Sequence, residues 1–84
     1  MNILNKKAKL KIFINLKNFY ELSFEIKATK DHSQKALMQT VARGIYKELN
    51  ILFVTYKPLF KNINKLFDNV KSVEDVREIK LERA

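Results

Sequence analysis

The first third of the chain alternates apolar and polar positions with a period of two. Leu10, Ile12, Ile14 and Leu16 occupy every second position, and Tyr20, Leu22, Phe24, Ile26 and Ala28 do the same after a short break. Alternation of this kind marks a strand buried on one side, so the pattern predicts two antiparallel strands in a β-hairpin. The apolar faces coincide only if paired residues sum to an even number, because a slip of one residue turns a strand inside out. A three-residue loop, Leu16-Lys17-Asn18, meets that condition and leaves Asn18, which tolerates left-handed backbone geometry, at the bulge position. Ile14 then pairs with Tyr20, Ile12 with Leu22 and Leu10 with Phe24.

The same register fixes the outer face. Lys9 lies opposite Glu25, Lys11 opposite Ser23, Phe13 opposite Glu21 and Asn15 opposite Phe19, while Lys7 and Lys27 meet at the open end. Two aromatics, Phe13 and Phe19, thus fall on the solvent side as diagonal neighbours near the hairpin tip, ringed by Lys11, Lys17 and Lys27. Either they meet a ligand, or a second layer covers them, supplied by the C-terminal segment or by a twofold mate.

Beyond the hairpin the period becomes helical. Asp31-His32-Ser33-Gln34 fits a helix start, with Asp31 as N-cap and Gln34 reaching back. Leu37, Met38, Val41, Ala42, Ile45 and Leu49 then recur at helical spacing and form a face that covers the sheet; Lys35, Gln39, Arg43 and Lys47 make the opposite stripe. Gly44, in mid-helix, costs roughly 1 kcal/mol relative to Ala and is expected where helix and sheet approach closely. Asn50 suits the helix end, and residues 51–56 read as a short buried strand, with a continued helix as the other reading. Pro58 suits the first turn of a second helix, over 58–70. There Leu59, Ile63, Leu66, Phe67 and Val70 form one stripe and Lys57, Lys61 and Lys65 another. Ser72 with Asp75 resembles a further capping box, whereas residues 78–82 alternate as a closing strand would. The expected fold is α+β over a single domain, 1–84: an N-terminal antiparallel β-hairpin packed on an amphipathic helix, then a short strand, a second amphipathic helix and a C-terminal strand.

Composition narrows the class. Eighty-four residues make one small domain with a thin stability margin, and 46% apolar residues with one Gly and one Pro place it among globular chains. The absence of Cys excludes a disulfide framework and a thiolate metal site, and it fits a reducing compartment, so the cytoplasm is the expected location. The N-terminal residues lack the unbroken apolar stretch of a signal peptide, and the longest apolar run, 51–54, is too short to span a membrane.

Charge changes the picture more. Lys and Arg number 17 against 9 Asp and Glu, a net charge of +8, and the imbalance is uneven: residues 1–71 hold 14 of the cations and 5 of the acids. A basic body attracts polyanions and steers them at long range. The abundance of Lys, Asn and Ile is also what an AT-rich genome produces, and with a compact domain it suits a phage- or plasmid-encoded protein.

Catalysis finds no support. His32, the sole histidine, sits between Asp31 and Ser33 at a helix start, where sequence neighbours cannot converge as nucleophile, base and orienter. Glu21 and Glu25 would share one face of a strand, but a flat, wet site beside Lys9 would not raise either pKa. The single Gly lies inside a helix pattern, so no phosphate-cradling loop is present. No enzyme, metal or cofactor is expected.

Binding remains, with three classes in competition. Nucleic acid is the leading partner: Phe13 and Phe19 would stack bases while Lys7, Lys9, Lys11, Lys17 and Lys27 meet phosphates, and Lys35, Arg43 and Lys47 would form a secondary basic stripe. The shortage of Arg argues against base readout in a duplex groove, so weak sequence specificity is expected. The second class is a modulator or inhibitor that docks its basic, aromatic face on an acidic protein surface or in the nucleic-acid channel of an enzyme. The third, a peripheral membrane binder using the helix at 58–70, is disfavoured because a small domain needs that apolar stripe for its core. A homodimer is compatible with each.

Overall fold

Neither Gly nor Pro interrupts the chain before Gly44, and the segment expected to fold back as a hairpin instead runs straight. In the computed structural model, which describes residues 3–81, the chain is all-helical: α1 (Ile3–Ala28), α2 (His32–Thr55), α3 (Lys57–Asn64), a single 3-10 turn (Lys65–Phe67) and α4 (Val73–Glu78). Among the described residues there is no strand, so the β-hairpin, the strand at 51–56 and the closing strand are all overturned, and with them the α+β class.

The reason lies in a degeneracy of the pattern. A run of period two contains two runs of period four, and a helix separates them. Ile12 and Leu16 are buried at 0% and 3% exposure, whereas Leu10 and Ile14, interleaved with them, are about half exposed at 51% and 47%. Tyr20 and Phe24 likewise face the 3-10 turn beside Phe67 and Val70, in a cleft that Leu22 and Ile26 do not line. The residues that settle the matter are the ones a strand leaves unexplained. Ile12-Phe13 and Phe19-Tyr20 are apolar doublets seven positions apart, as two turns of a helix facing a core require. Lys9 and Glu25, expected to pair across strands, stand sixteen residues apart along one helix, roughly 24 Å.

Asp31 caps α2 as its sequence indicates, its carboxylate accepting from the N–H groups of Ser33 (2.9 Å) and Gln34 (3.3 Å). Asn50 does not end the helix. It continues through 51–55, which explains why Ile51 and Val54 are 59% and 79% exposed while Leu52 is buried. Pro58 sets the break, because without an N–H it cannot bond the Val54 carbonyl and its ring would clash with that group. The chain turns at Tyr56 (φ −128°, ψ 47°), and α3 starts with Pro58 in its first turn. At the far end Ser72 caps α4, accepting from the Asp75 N–H, while the Asp75 carboxylate accepts from the Lys71 N–H. Ile79 is extended and packs with Leu81 on the core without pairing as a strand. Glu82, the last residue of the expected closing strand, lies outside the described residues.

The core is the place where all the elements meet. Ile12, Phe13 and Leu16 of α1, Leu49 and Leu52 of α2, Ile63 of α3, Phe67 of the 3-10 turn and Val76 of α4 form one buried cluster. Of the apolar stripe of 58–70, Leu59, Ile63, Phe67 and Val70 are taken up by this core, whereas Leu66 is exposed. Phe67 stacks on Tyr20 (centroids 5.0 Å apart, planes 11°) and tilts against Phe13 (5.9 Å). Beyond that cluster α1 and α2 continue together as a two-helix arm, giving a body 45 × 24 × 16 Å in which no residue from Lys17 to Glu48 is buried. Gly44 lies on this arm with nothing within 4 Å of a Cβ built on it, so the close approach expected there is absent within the chain.

Candidate functional site

A helix distributes side chains at about 100° per residue, and it scatters the patch that a hairpin would have gathered. Phe13 is 8% exposed and packs on Phe67, so it is a core residue and not a platform for a base. Lys17 lies 5.5 Å above the Phe13 ring and donates to the carbonyl oxygens of Arg77 and Ile79, both at 3.3 Å, closing the C-terminal end of α4. Lys9 is half-buried beside Leu59, Ile63 and Leu66, and Lys27 is exposed at the end of α1 near Asp68. Lys7 and Lys11 are exposed on the opposite edge, where Lys11 pairs with Glu48 at 2.9 Å. The hydrogen bond and charge of Glu48 raise the Lys11 ammonium above the ordinary lysine range.

The assignment of Lys17 carries a test. Lys17→Gln is expected to lower the unfolding free energy by about 1 kcal/mol through loss of its two carbonyl contacts. Urea denaturation reads this directly, and an unchanged midpoint would return Lys17 to the list of ligand contacts.

What the fold does bring together is Phe19 with the secondary basic stripe. Phe19 lies 6.0 Å from Tyr46 of α2 and 6.2 Å from Tyr20, and it borders two adjoining hollows. The first, about 240 Å³, runs between α2 and α3 over a floor of Leu16 and Leu49, with Tyr46, Phe53 and Phe60 as its aromatic walls and Asn50 and Asn64 as its amides. The second is a shallower extension along α2, bounded by Gln39, Ala42, Arg43 and Lys47. Phe53 and Phe60 meet edge to face at 5.4 Å, and Lys57 stands 5.7 Å above the Phe53 ring. Tyr46 is 54% exposed. Lys35, half-buried, continues the same edge of α2 one turn before Gln39.

The groove is therefore aromatic within and cationic at its rim. Among the described residues Lys11–Glu48 is the single ion pair, so Arg43 and Lys47, which line the second hollow, and Lys57, which stands over the Phe53 ring, have no carboxylate partners. Burial, then the charge of Asp68, push the Tyr20 phenol above its ordinary pKa. It thus stays neutral and can donate to the Asn64 Oδ1 at 3.2 Å. The stability this neutral phenol lends is full below the ordinary tyrosine range and is lost as the pH rises through the raised value.

Three of the groove residues, Tyr46, Phe53 and Phe60, do not figure among the residues singled out from sequence. A signal was present: Tyr46, Phe53, Phe60 and Phe67 recur at every seventh position. A strand at 51–56 conceals that repeat, and helical structure on both sides of the break at Tyr56 reveals it. His32 is exposed in the first turn of α2 and lines neither hollow. Among the described residues no three His, Asp or Glu side chains are placed to hold a metal ion, and no helix is long and apolar enough to cross a membrane. Comparison of this chain with protein-family models, with curated proteins and with solved structures finds no match.

Proposed function

We propose that this is a small, non-enzymatic, cytoplasmic binding protein whose ligand is single-stranded nucleic acid, held with weak sequence specificity. The observation that carries this reading is the groove in which Phe19, Tyr46, Phe53 and Phe60 are rimmed by Arg43, Lys47 and Lys57. Aromatic faces accept any base by stacking, and a cationic rim follows the phosphates, which is how single strands are bound without sequence readout. The amides Asn50 and Asn64 supply hydrogen bonds to base edges, too few to select a sequence. The net charge of +8 adds long-range attraction.

A salt titration of oligonucleotide binding, followed by fluorescence anisotropy, tests the reading. Three phosphate contacts, by Arg43, Lys47 and Lys57, give a slope of log affinity against log salt of about −2. The double variant Arg43→Gln/Lys47→Gln should make that slope shallower by about 1.4 whatever the base sequence. Absence of binding at low salt would sink the reading and leave an acidic protein surface as the groove's partner.

A further inference from the structure

The side of the α1–α2 pair turned away from α3 and α4 is uncovered. On α2, Leu37, Val41, Gly44, Glu48, Ile51 and Thr55 succeed one another at spacings of four and three, the spacing of a seam that packs on another helix. Leu37, Val41 and Ile51 are 68%, 56% and 59% exposed. On α1, Lys7, Lys11, Ile14, Asn18, Glu21 and Glu25 repeat the same spacing.

We propose that this face is a self-association surface, on which a second copy of the chain packs in the antiparallel sense to form a four-helix dimer. Antiparallel pairing sets the first position of such a seam against the last position of its mate. On α2 it brings Val41 against Ile51 of the second copy and Leu37 against Thr55. On α1 it brings Lys7 against Glu25 and Lys11 against Glu21, with Ile14 and Asn18 between them. Cations fill one half of the α1 seam and acids the other, so the stripe is complementary to its own reverse. A twofold interface requires that property.

The two seams agree on one axis. Antiparallel pairing centres the α1 seam on position 16 and the α2 seam on position 46. Within the chain Lys11 touches Glu48 and Phe19 touches Tyr46, which sets position 16 level with positions 43 to 49. One dyad therefore serves both helices. That axis puts Gly44 opposite Glu48 of the second copy, whose carboxylate is already engaged by its own Lys11. A side chain at position 44 would press on that pair, which gives the glycine the close approach that it lacks within one chain.

Electrostatics permits association at this face. Its charged groups are Lys7 and Lys11 against Glu21, Glu25 and Glu48, a slight excess of acid on a chain of net charge +8. Two copies therefore meet here without like-charge repulsion between the contacting groups. The seam from Leu37 to Thr55 is roughly 27 Å long, and two helices side by side are roughly 20 Å wide. Pairing thus buries on the order of 1,000 Å² in total, near the lower limit of specific interfaces, so the dimer is a weak one. The inference stands independently of the nucleic-acid reading, because the aromatic groove lies between α2 and α3 and stays open on the outside of each copy.

Sedimentation equilibrium of the full chain, over roughly 5 to 500 μM, should show a monomer–dimer equilibrium with a dissociation constant on the order of tens of μM. Ile51→Lys should weaken it about tenfold or more, with unchanged helicity, since Ile51 is exposed in the monomer. Gly44→Gln separates a packing role from a merely local one. Open space around that position means the variant should melt at a higher temperature as a monomer, yet associate about tenfold more weakly. Glu25→Lys should weaken association, and adding Lys7→Glu should restore it. A chain that stays monomeric throughout, or a dimer indifferent to Ile51→Lys and Gly44→Gln, would overturn the proposal.

Discussion

Replacing Phe67 by Ala is expected to lower the unfolding free energy by about 3 to 5 kcal/mol. Phe67 is 2% exposed and is the residue on which both Tyr20 and Phe13 lean, so its removal leaves a cavity bordered by rings that cannot collapse without losing their stacking. A chain of this length has a total stability of roughly 4 to 13 kcal/mol, and the variant would use up much of it. Leu66→Ala is the control. Leu66 is 41% exposed and should cost about 1 kcal/mol or less. Urea denaturation followed by circular dichroism measures both, and similar losses at the two positions would contradict the placement of the 3-10 turn on α1.

The second large effect concerns the groove. Tyr46→Ser should reduce oligonucleotide affinity about 5- to 150-fold, the range expected when one base loses its aromatic platform. The fold should tolerate it, because Tyr46 is half exposed and lies outside the buried cluster. Its effect should also differ in kind from that of the rim charges: affinity falls while the salt slope is retained, since no phosphate contact is lost. Phe13→Leu, a core exchange, should leave binding unchanged. If Phe13→Leu abolished binding and Tyr46→Ser did not, the ligand would be sought on α1 and not in the groove.

Legibility from sequence divided along a physical line. Where a single residue type does a local job, the sequence is transparent: the Asp31 and Ser72 caps and the Pro58 start of α3 all form as their chemistry dictates. The helical stripe after Asp31 was legible too, although half of it faces solvent or the arm and only Leu49 is buried. The first 28 residues misled because an apolar residue at every second position satisfies a strand and, taken in fours, a helix. Phe13 and Phe19 were the arbiters. On a strand they needed an outside ligand to explain them, whereas on a helix Phe13 enters the core and Phe19 borders the groove. The binding site was legible only as charge. Its basic stripe, Arg43 and Lys47, could be named from sequence, but the aromatic walls that give the stripe a purpose come together only when α2 runs unbroken past Asn50 to place Phe53 against Phe60.

The arm has a consequence for how the molecule comes apart. No residue between Lys17 and Glu48 is buried, and past Phe24 in α1 and before Ile45 in α2 no apolar side chain packs on the core cluster. These outer ends are held by each other and by their own hydrogen bonds, so they can open while the Phe67 cluster stays closed. Unfolding is then not one event: amide protons of the arm exchange through a shallow opening, and those of Ile12 or Leu52 through the deep one. Thermal melting read from total helix content would broaden accordingly, and a single fitted enthalpy would understate the cooperativity of the core.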